Sequence, residues 1–186
     1  MGSVALCWEN ELGEAGTAEL SEALGSIFGS VDPAAKPLFA DRRSWAGARP
    51  ELRLIVRDEA GIAGHVGFLR RFLRIDGTDQ LVGELGLVAV RADRQSSGLG
   101  RRLLEESEAA LRGLAVPFGF LGCKPDAEGF YLRNGWTRLD ARARHPENAT
   151  MWRVSMPDEV LFIRPVTAAV EDWPAGAVVD WNGLKL

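Results

Sequence analysis

Apolar and polar positions change rhythm along the chain. Val4–Trp8 reads as a short strand. Residues 16–28 then place Leu20, Leu24, Ile27 and Phe28 at helical spacing and stop at Gly29. Residues 29–50 carry Gly, Ser and three prolines, which predicts a loop with one short helix. From Glu51 the period drops to two: Leu52, Leu54 and Val56 alternate with Arg53 and Arg57, and Asp58–Gly61 supplies a turn. Residues 62–75 return as a second strand. Asp76-Gly77 predicts a tight hairpin into a third, Leu81–Val90.

The second half is different. Residues 98–113 place Leu99, Leu103, Leu104 and Leu111 on one helical side. Residues 116–121 predict a strand, 126–134 a short helix and 136–139 another strand. Residues 151–155 and 159–165 look like final strands before a tail rich in Trp, Pro and Gly. Strands followed by alternating helix and strand point to an α/β or α+β mixed sheet, and no linker marks a boundary, so one domain over residues 1–186 is expected.

Composition narrows the function. A formal charge of −4 argues against nucleic-acid binding and suits a cationic small substrate. Two cysteines (Cys7, Cys123) and two histidines (His65, His145) without C-x-x-C spacing leave no zinc motif, so no metal is expected. No apolar run approaches a membrane span and no signal segment opens the chain. The expectation is a reduced, cytoplasmic protein without a membrane partner.

The chemistry concentrates in residues 88–100, VAVRADRQSSGLG, where a strand runs through a glycine-rich loop into a helix. Gly98 and Gly100 allow close backbone approach, and the helix's first-turn amides offer donors to an anion such as pyrophosphate. Arg101 and Arg102 sit in that turn, which suits either a nearby phosphate or solvated surface arginines. Leu103 stands where a third glycine would complete a dinucleotide fingerprint, and no G-K-[ST] is present.

The run Gln95-Ser96-Ser97-Gly98-Leu99-Gly100 resembles the Q/R-x-x-G-x-G/A motif of the GNAT acyltransferase superfamily. Residues 127–136, AEGFYLRNGW, resemble its second signature, in the same order. Lys124, where many members carry Asn, departs from the pattern. The resemblance implies a mixed, mostly antiparallel sheet of about six to seven strands with helices on both faces. It also implies acetyl-CoA, or another acyl-CoA, held between two splayed strands. Pantetheine would lie on the backbone of Val88, Ala89 and Val90, and pyrophosphate on amides of Gln95, Ser96, Ser97, Gly98, Leu99, Gly100 and Arg101. A backbone amide near Val88 would polarise the thioester carbonyl.

Tyr131, the only tyrosine, falls on the superfamily's general-acid position; a phenol there can return a proton to the leaving thiolate. Its plain alternative is a packed aromatic beside Phe130. Glu84, inside the apolar run LVGELGLVAV, is a candidate base or amine ligand, with a salt bridge to Arg70 or Arg71 as the alternative. His65, in AGHVGFL, is a second candidate base or else a satisfied core histidine. Cys123 reads as a buried hydrophobe.

LCWENEL (6–12), AKP (35–37), RSWAGARPE (43–51) and DWPAGAVVDWNG (172–183) resemble the nodulation N-acyltransferase family NodA. That family transfers a fatty acyl group from acyl carrier protein to the free amine of a chitin-oligosaccharide end. GHVGFLRR (64–71) and VAVRAD (88–93) are similar to aminoglycoside 2′-N-acetyltransferases. Both acylate an amine on a sugar. For such an acceptor, Trp8, Trp45, Trp173 and Trp181 offer flat apolar faces, and Glu9, Asp172 and Asp180 offer acceptors; each tryptophan is equally a candidate core anchor. Gly98, Gly100 and Tyr131 favour acetyl-CoA as donor and an aminoglycoside-type acceptor, an antibiotic-inactivating activity. The alternative is NodA-like transfer from carrier protein, for which Arg42, Arg43 and Arg49 supply a basic docking patch. A non-catalytic acyl-CoA or sugar-binding module is a third reading, and a homodimer is compatible with all three.

Overall fold

The computed structural model describes residues 2–146, 154–156 and 158–186. Its contacts divide it into two compact units. One comprises Met1–Leu69, Leu87–Ala110 and Leu186, and the other Arg70–Gly86 and Leu111–Lys185.

In the first unit, β1 (Ser3–Trp8) pairs antiparallel with β2 (Leu52–Asp58), which pairs antiparallel with the first half of β3 (Gly61–Ile75). Helix α1 (Gly13–Val31) buries Leu20 and Leu24, one turn apart, together with the small Ser21 and Gly25. The small residues let the 3-10 segment Pro33–Phe39 lie against it. Ser21 Oγ donates to Phe39 O at 2.6 Å, and Phe28 stacks on Phe39 at 5.6 Å. Asp32 ends the helix, its amide donating to Phe28 O and its carboxylate accepting from Ala34. The expected loop with one short helix is this segment and its continuation.

The strand β4 (Thr78–Val90) follows β3 through Asp76 (φ 43°) and Gly77 (φ 97°), the doubly positive conformation a two-residue hairpin needs. Helix α2 (Leu99–Gly113) turns Leu99 and Leu103 onto Gly64 of β3, where a Cβ would stand 3.0 Å from Leu103 Cδ1. That glycine is there for packing.

In the second unit the strands are β5 (Phe118–Cys123), β6 (Thr137–Leu139), β7 (Arg142–His145), β8 (Val154–Met156), β9 (Val160–Pro165) and β10 (Val178–Trp181), with the short helix α3 (Glu128–Arg133). Their order, with the adjoining parts of β3 and β4, is β6-β9-β5-β4-β3-β10-β7-β8. β5 runs parallel to β4 from Val82↔Phe118 to Glu84↔Phe120, and the pairing stops there although both strands continue. β10 joins β3 antiparallel on one side and β7 parallel on the other. Phe118, Phe120, Leu161, Ile163, Val179 and Trp181 lie in the core this sheet covers.

The sheet holds ten strands among the described residues, more than the six or seven expected. The difference lies in short strands, above all Arg142–His145 and Val178–Trp181, which are joined by the Arg144–Asp180 ion pair. Residues 151–153 of the expected strand 151–155 lie outside the described residues.

Candidate active site

The glycine loop belongs to the first unit. After Val90 the chain makes a 3-10 turn, Ala92–Arg94, anchored by Arg91. That guanidinium donates to both Asp58 (2.8 and 3.0 Å) and Asp93 (2.6 and 3.0 Å) and to Ile62 O. These hydrogen bonds hold the Asp58 and Asp93 carboxyls below the usual carboxylate range and raise Arg91. Gln95 Nε2 donates to Val90 O and Ser97 Oγ to Arg94 O. Ser96 (φ 57°) and Gly98 (φ 84°) then turn the chain into α2, and a Cβ on Gly98 would meet no atom within 4 Å. Residues 95–98 are exposed and Leu99 is buried, so the loop presents backbone to solvent while the helix is anchored from below. Arg101 and Arg102 form surface ion pairs with Glu105 (2.7 Å) and Glu106 (3.9 Å) one turn on.

One strand away stands a fully buried polar group. His65 Nδ1 lies 2.8 Å from Leu87 O, and its Nε2 lies 3.1 Å from Arg53 Nη1. Arg53, His65 and Ser44 are completely inaccessible. Burial first, and the Arg53 charge second, push the His65 imidazole down to about 3. A histidine whose lone pair faces a guanidinium and whose charged form is this disfavoured is poorly placed to collect a proton. The geometry matches the satisfied core histidine, with its partner Arg53 at one of the polar positions of the β2 alternation. Glu9 completes the cluster: it is ion-paired with Arg53 and accepts from Arg49 Nε at 2.7 Å. Arg49 and Arg43 flank the Trp45 ring at 4.8 and 5.9 Å. Glu9 and Trp45 are therefore brought together but already carry protein cations, whereas Trp8 is exposed.

The second unit holds the other candidates. Glu84, 2% exposed at the last position of β4 paired with β5, accepts the Trp181 indole N–H at 2.9 Å and lies 3.0 Å from Arg71 Nε. Arg71 is one of the two partners foreseen for it. Arg71 also donates to Leu184 O, and Lys185 sits 5.5 Å over the Trp181 ring and is ion-paired with Glu159. Tyr131 is buried among Phe130, Trp136 and Phe162, with ring centroids 5.2–6.2 Å away. Burial, with Cys123 adding to it, raises its phenol well above the usual value, so it holds its proton across the working pH range. Burial likewise pushes the Cys123 thiol up to about 11, which keeps it an unreactive thiol.

The tail departs most from expectation. Asp180 receives both Nε and Nη2 of Arg144, at 2.7 and 2.8 Å, from its own register partner on β7. Trp173 packs on Phe118 and Phe120, and Trp181 on Phe120 at 4.9 Å. Asp172 accepts from the Ala169 amide and closes a 3-10 turn. Asp180 and Trp181 are pairing and core groups here, because β10 is a strand inside the sheet, and Trp173, outside that strand, packs partly buried against the same core. Arg53 and Glu159 escaped sequence reading, since their partners lie far along the chain and no local spacing reports them.

Among the described residues no group of three or more His, Cys, Asp or Glu is placed to hold a metal, and no helix is long and apolar enough to cross a membrane.

Solved structures carry the same fold. An Escherichia coli GNAT family N-acetyltransferase, YhbS, in complex with CoA, aligns with TM-score 0.62 at 17% identity over 97% of this chain and 89% of that one. Escherichia coli ElaA aligns with TM-score 0.62 at 12% identity over 88% and 99%. In sequence, the nodulation protein A of Rhizobium tropici is 39% identical over 97% of this chain and 96% of its own length. That of Rhizobium meliloti (strain 1021) is 38% identical over the same shares. The family model of nodulation protein A matches residues 3–186. The chain therefore belongs to the nodulation protein A (NodA) family, built on a GNAT fold.

Proposed function

We propose that this protein is an N-acyltransferase of the NodA type, moving a fatty acyl group from acyl carrier protein to the free amine of a chitin-oligosaccharide end. The observation that carries the reading is the family match over residues 3–186. It favours a carrier-protein donor and a chitin-type acceptor over acetyl-CoA and an aminoglycoside.

In the reaction the amine nitrogen attacks the thioester carbonyl, an amide C–N bond forms, the C–S bond breaks and the thiolate takes a proton. Carrier protein and CoA share the phosphopantetheine arm, so one loop around Gly98 serves either donor. The Val88 amide would receive the developing oxyanion. Tyr131, still protonated at neutral pH because it is buried, is the proposed acid. Arg42, Arg43 and Arg49 are exposed in the first unit and suit an acidic carrier. Glu84 is the proposed route for the amine's proton only if Arg71 and Trp181 release it.

The test is product mass spectrometry with acyl carrier protein loaded with a C16 or C18 chain, or acetyl-CoA, against partially deacetylated chitotetraose, kanamycin and a simple primary amine. N-acyl chitotetraose formed from the carrier donor is the expected result. Acetyl-kanamycin formed from acetyl-CoA alone would return the assignment to an aminoglycoside-type acetyltransferase.

A further inference from the structure

Leu87 lies inside β4 with φ of 51°, a left-handed conformation that a branched aliphatic residue adopts only when its surroundings hold it there. The hold is visible. Leu87 O is 2.8 Å from His65 Nδ1, and a carbonyl only accepts, so Nδ1 carries the proton. Nε2 then carries the lone pair and accepts from Arg53 Nη1 at 3.1 Å. The remaining N–H groups of Arg53 are placed too: on Ser44 O at 3.1 Å, Ser44 Oγ at 3.0 Å, and both oxygens of Glu9. All five donors of the guanidinium are used, so it cannot swing away from the imidazole.

The carbonyl of Leu87 and the N–H of Val88 belong to one planar peptide. Fixing the oxygen toward His65 aims the N–H to the opposite side. We infer that His65 is a positioning residue for acyl transfer: backed by Arg53, it sets the direction of the Leu87–Val88 peptide and polarises it. A hydrogen bond to the carbonyl strengthens the donor at the other end of the same amide. The chain of contacts thus runs from a buried cation, through an imidazole and a peptide group, to the donor assigned to the thioester oxygen. This inference rests on the acyl-transfer reading for the role of Val88, and not for the contacts themselves. Charged groups facing the imidazole cluster are Arg53 itself, Glu9 and, through Glu9, Arg49.

The experiment compares His65→Leu, His65→Asn and His65→Gln in the full chain. An Asn amide nitrogen can occupy the Nδ1 position and keep the donor to Leu87; Gln keeps only the partner for Arg53. Two readouts are taken: steady-state acyl transfer to deacetylated chitotetraose, and the backbone amide resonance of Val88 in protein labelled with 15N-valine. Leu and Gln should lower kcat by about tenfold to a hundredfold, below the cost of deleting an oxyanion donor outright. Donor KM should stay within about twofold of wild type, and the Val88 resonance should move. Asn should restore most of both. If His65→Leu fails to fold, the Asn–Gln pair decides alone. An unmoved Val88 resonance overturns the link between His65 and this peptide. A moved resonance with full kcat overturns the catalytic consequence and, with it, the reading of Val88 as the oxyanion donor.

Discussion

The indole N–H of Trp181 donates to Glu84 at 2.9 Å, joining β10 to the last residue of β4 that pairs with β5. With Arg71 on the other carboxylate oxygen, Glu84 sits in a buried, charge-compensated setting. Removing one partner of such a group leaves the rest without compensation. Glu84→Gln should therefore destabilise the fold by roughly 3–5 kcal/mol, and Trp181→Phe by about 1.5–3 kcal/mol through loss of one hydrogen bond to a charged group. Urea unfolding of both variants measures this. A Glu84→Gln variant of native stability, whose kcat loss recovers at high pH, would instead make Glu84 the base.

Asp180 and Arg144 give a second contrast. Because the pair belongs to neighbouring strands, Asp180→Asn should cost about 1 kcal/mol, the ionic part being discounted for the partly exposed arginine. It should leave acceptor KM unchanged. A raised KM with unaltered unfolding midpoint would put Asp180 back in the sugar site.

Tyr131→Phe keeps the packing against Phe130, Trp136 and Phe162 and deletes the proton. An intact acid role predicts a fall in kcat of roughly 10²–10⁴ with donor binding unaffected. Because burial raises the phenol, wild-type kcat should show no loss from tyrosine ionisation up to about pH 10, the ordinary phenol value. A basic limb that disappears in Tyr131→Phe would contradict that environment.

His65 carries a pH signature of its own. Its folded pKa is lowered to about 3, against about 6.5 in an unfolded chain. Between those values the unfolded state binds the extra proton, so stability rises with pH. The contribution is complete above about pH 6.5 and is lost as pH falls toward 3. Unfolding free energies measured from pH 7 to 4 should decline, and the decline should flatten in His65→Asn. Equal slopes in the two proteins would show that the imidazole does not resist protonation.

Much of the fold was legible because its signals are local. The Asp76-Gly77 hairpin, the helical spacing of Leu20 and Leu24, and the glycine loop ahead of Leu99 each announce themselves within a few residues. The two signatures around Gly98 and Tyr131 carried the superfamily for the same reason. What failed was long-range. Alternation in LRLIVRD implies a solvated face, yet β2 is covered on both sides, so Arg53 is buried where Arg57 is not. A Trp and an Asp in a glycine-rich tail suit a sugar pocket and a buried strand equally well. Arg144, 36 residues before Asp180, and Glu84, 97 residues before Trp181, favour the strand, and no spacing rule reaches that far.

The place of β10 also governs the order of assembly. It stands between Leu73–Ile75 of β3 and Arg142–Arg144 of β7, so until residues 178–181 have been synthesised both neighbours present open strand edges. Between completion of β7 at His145 and the arrival of Val178 the nascent chain thus carries two unpaired edges, the period when such edges recruit foreign strands. Interruption ahead of Val178 would leave a sticky intermediate instead of a smaller folded protein.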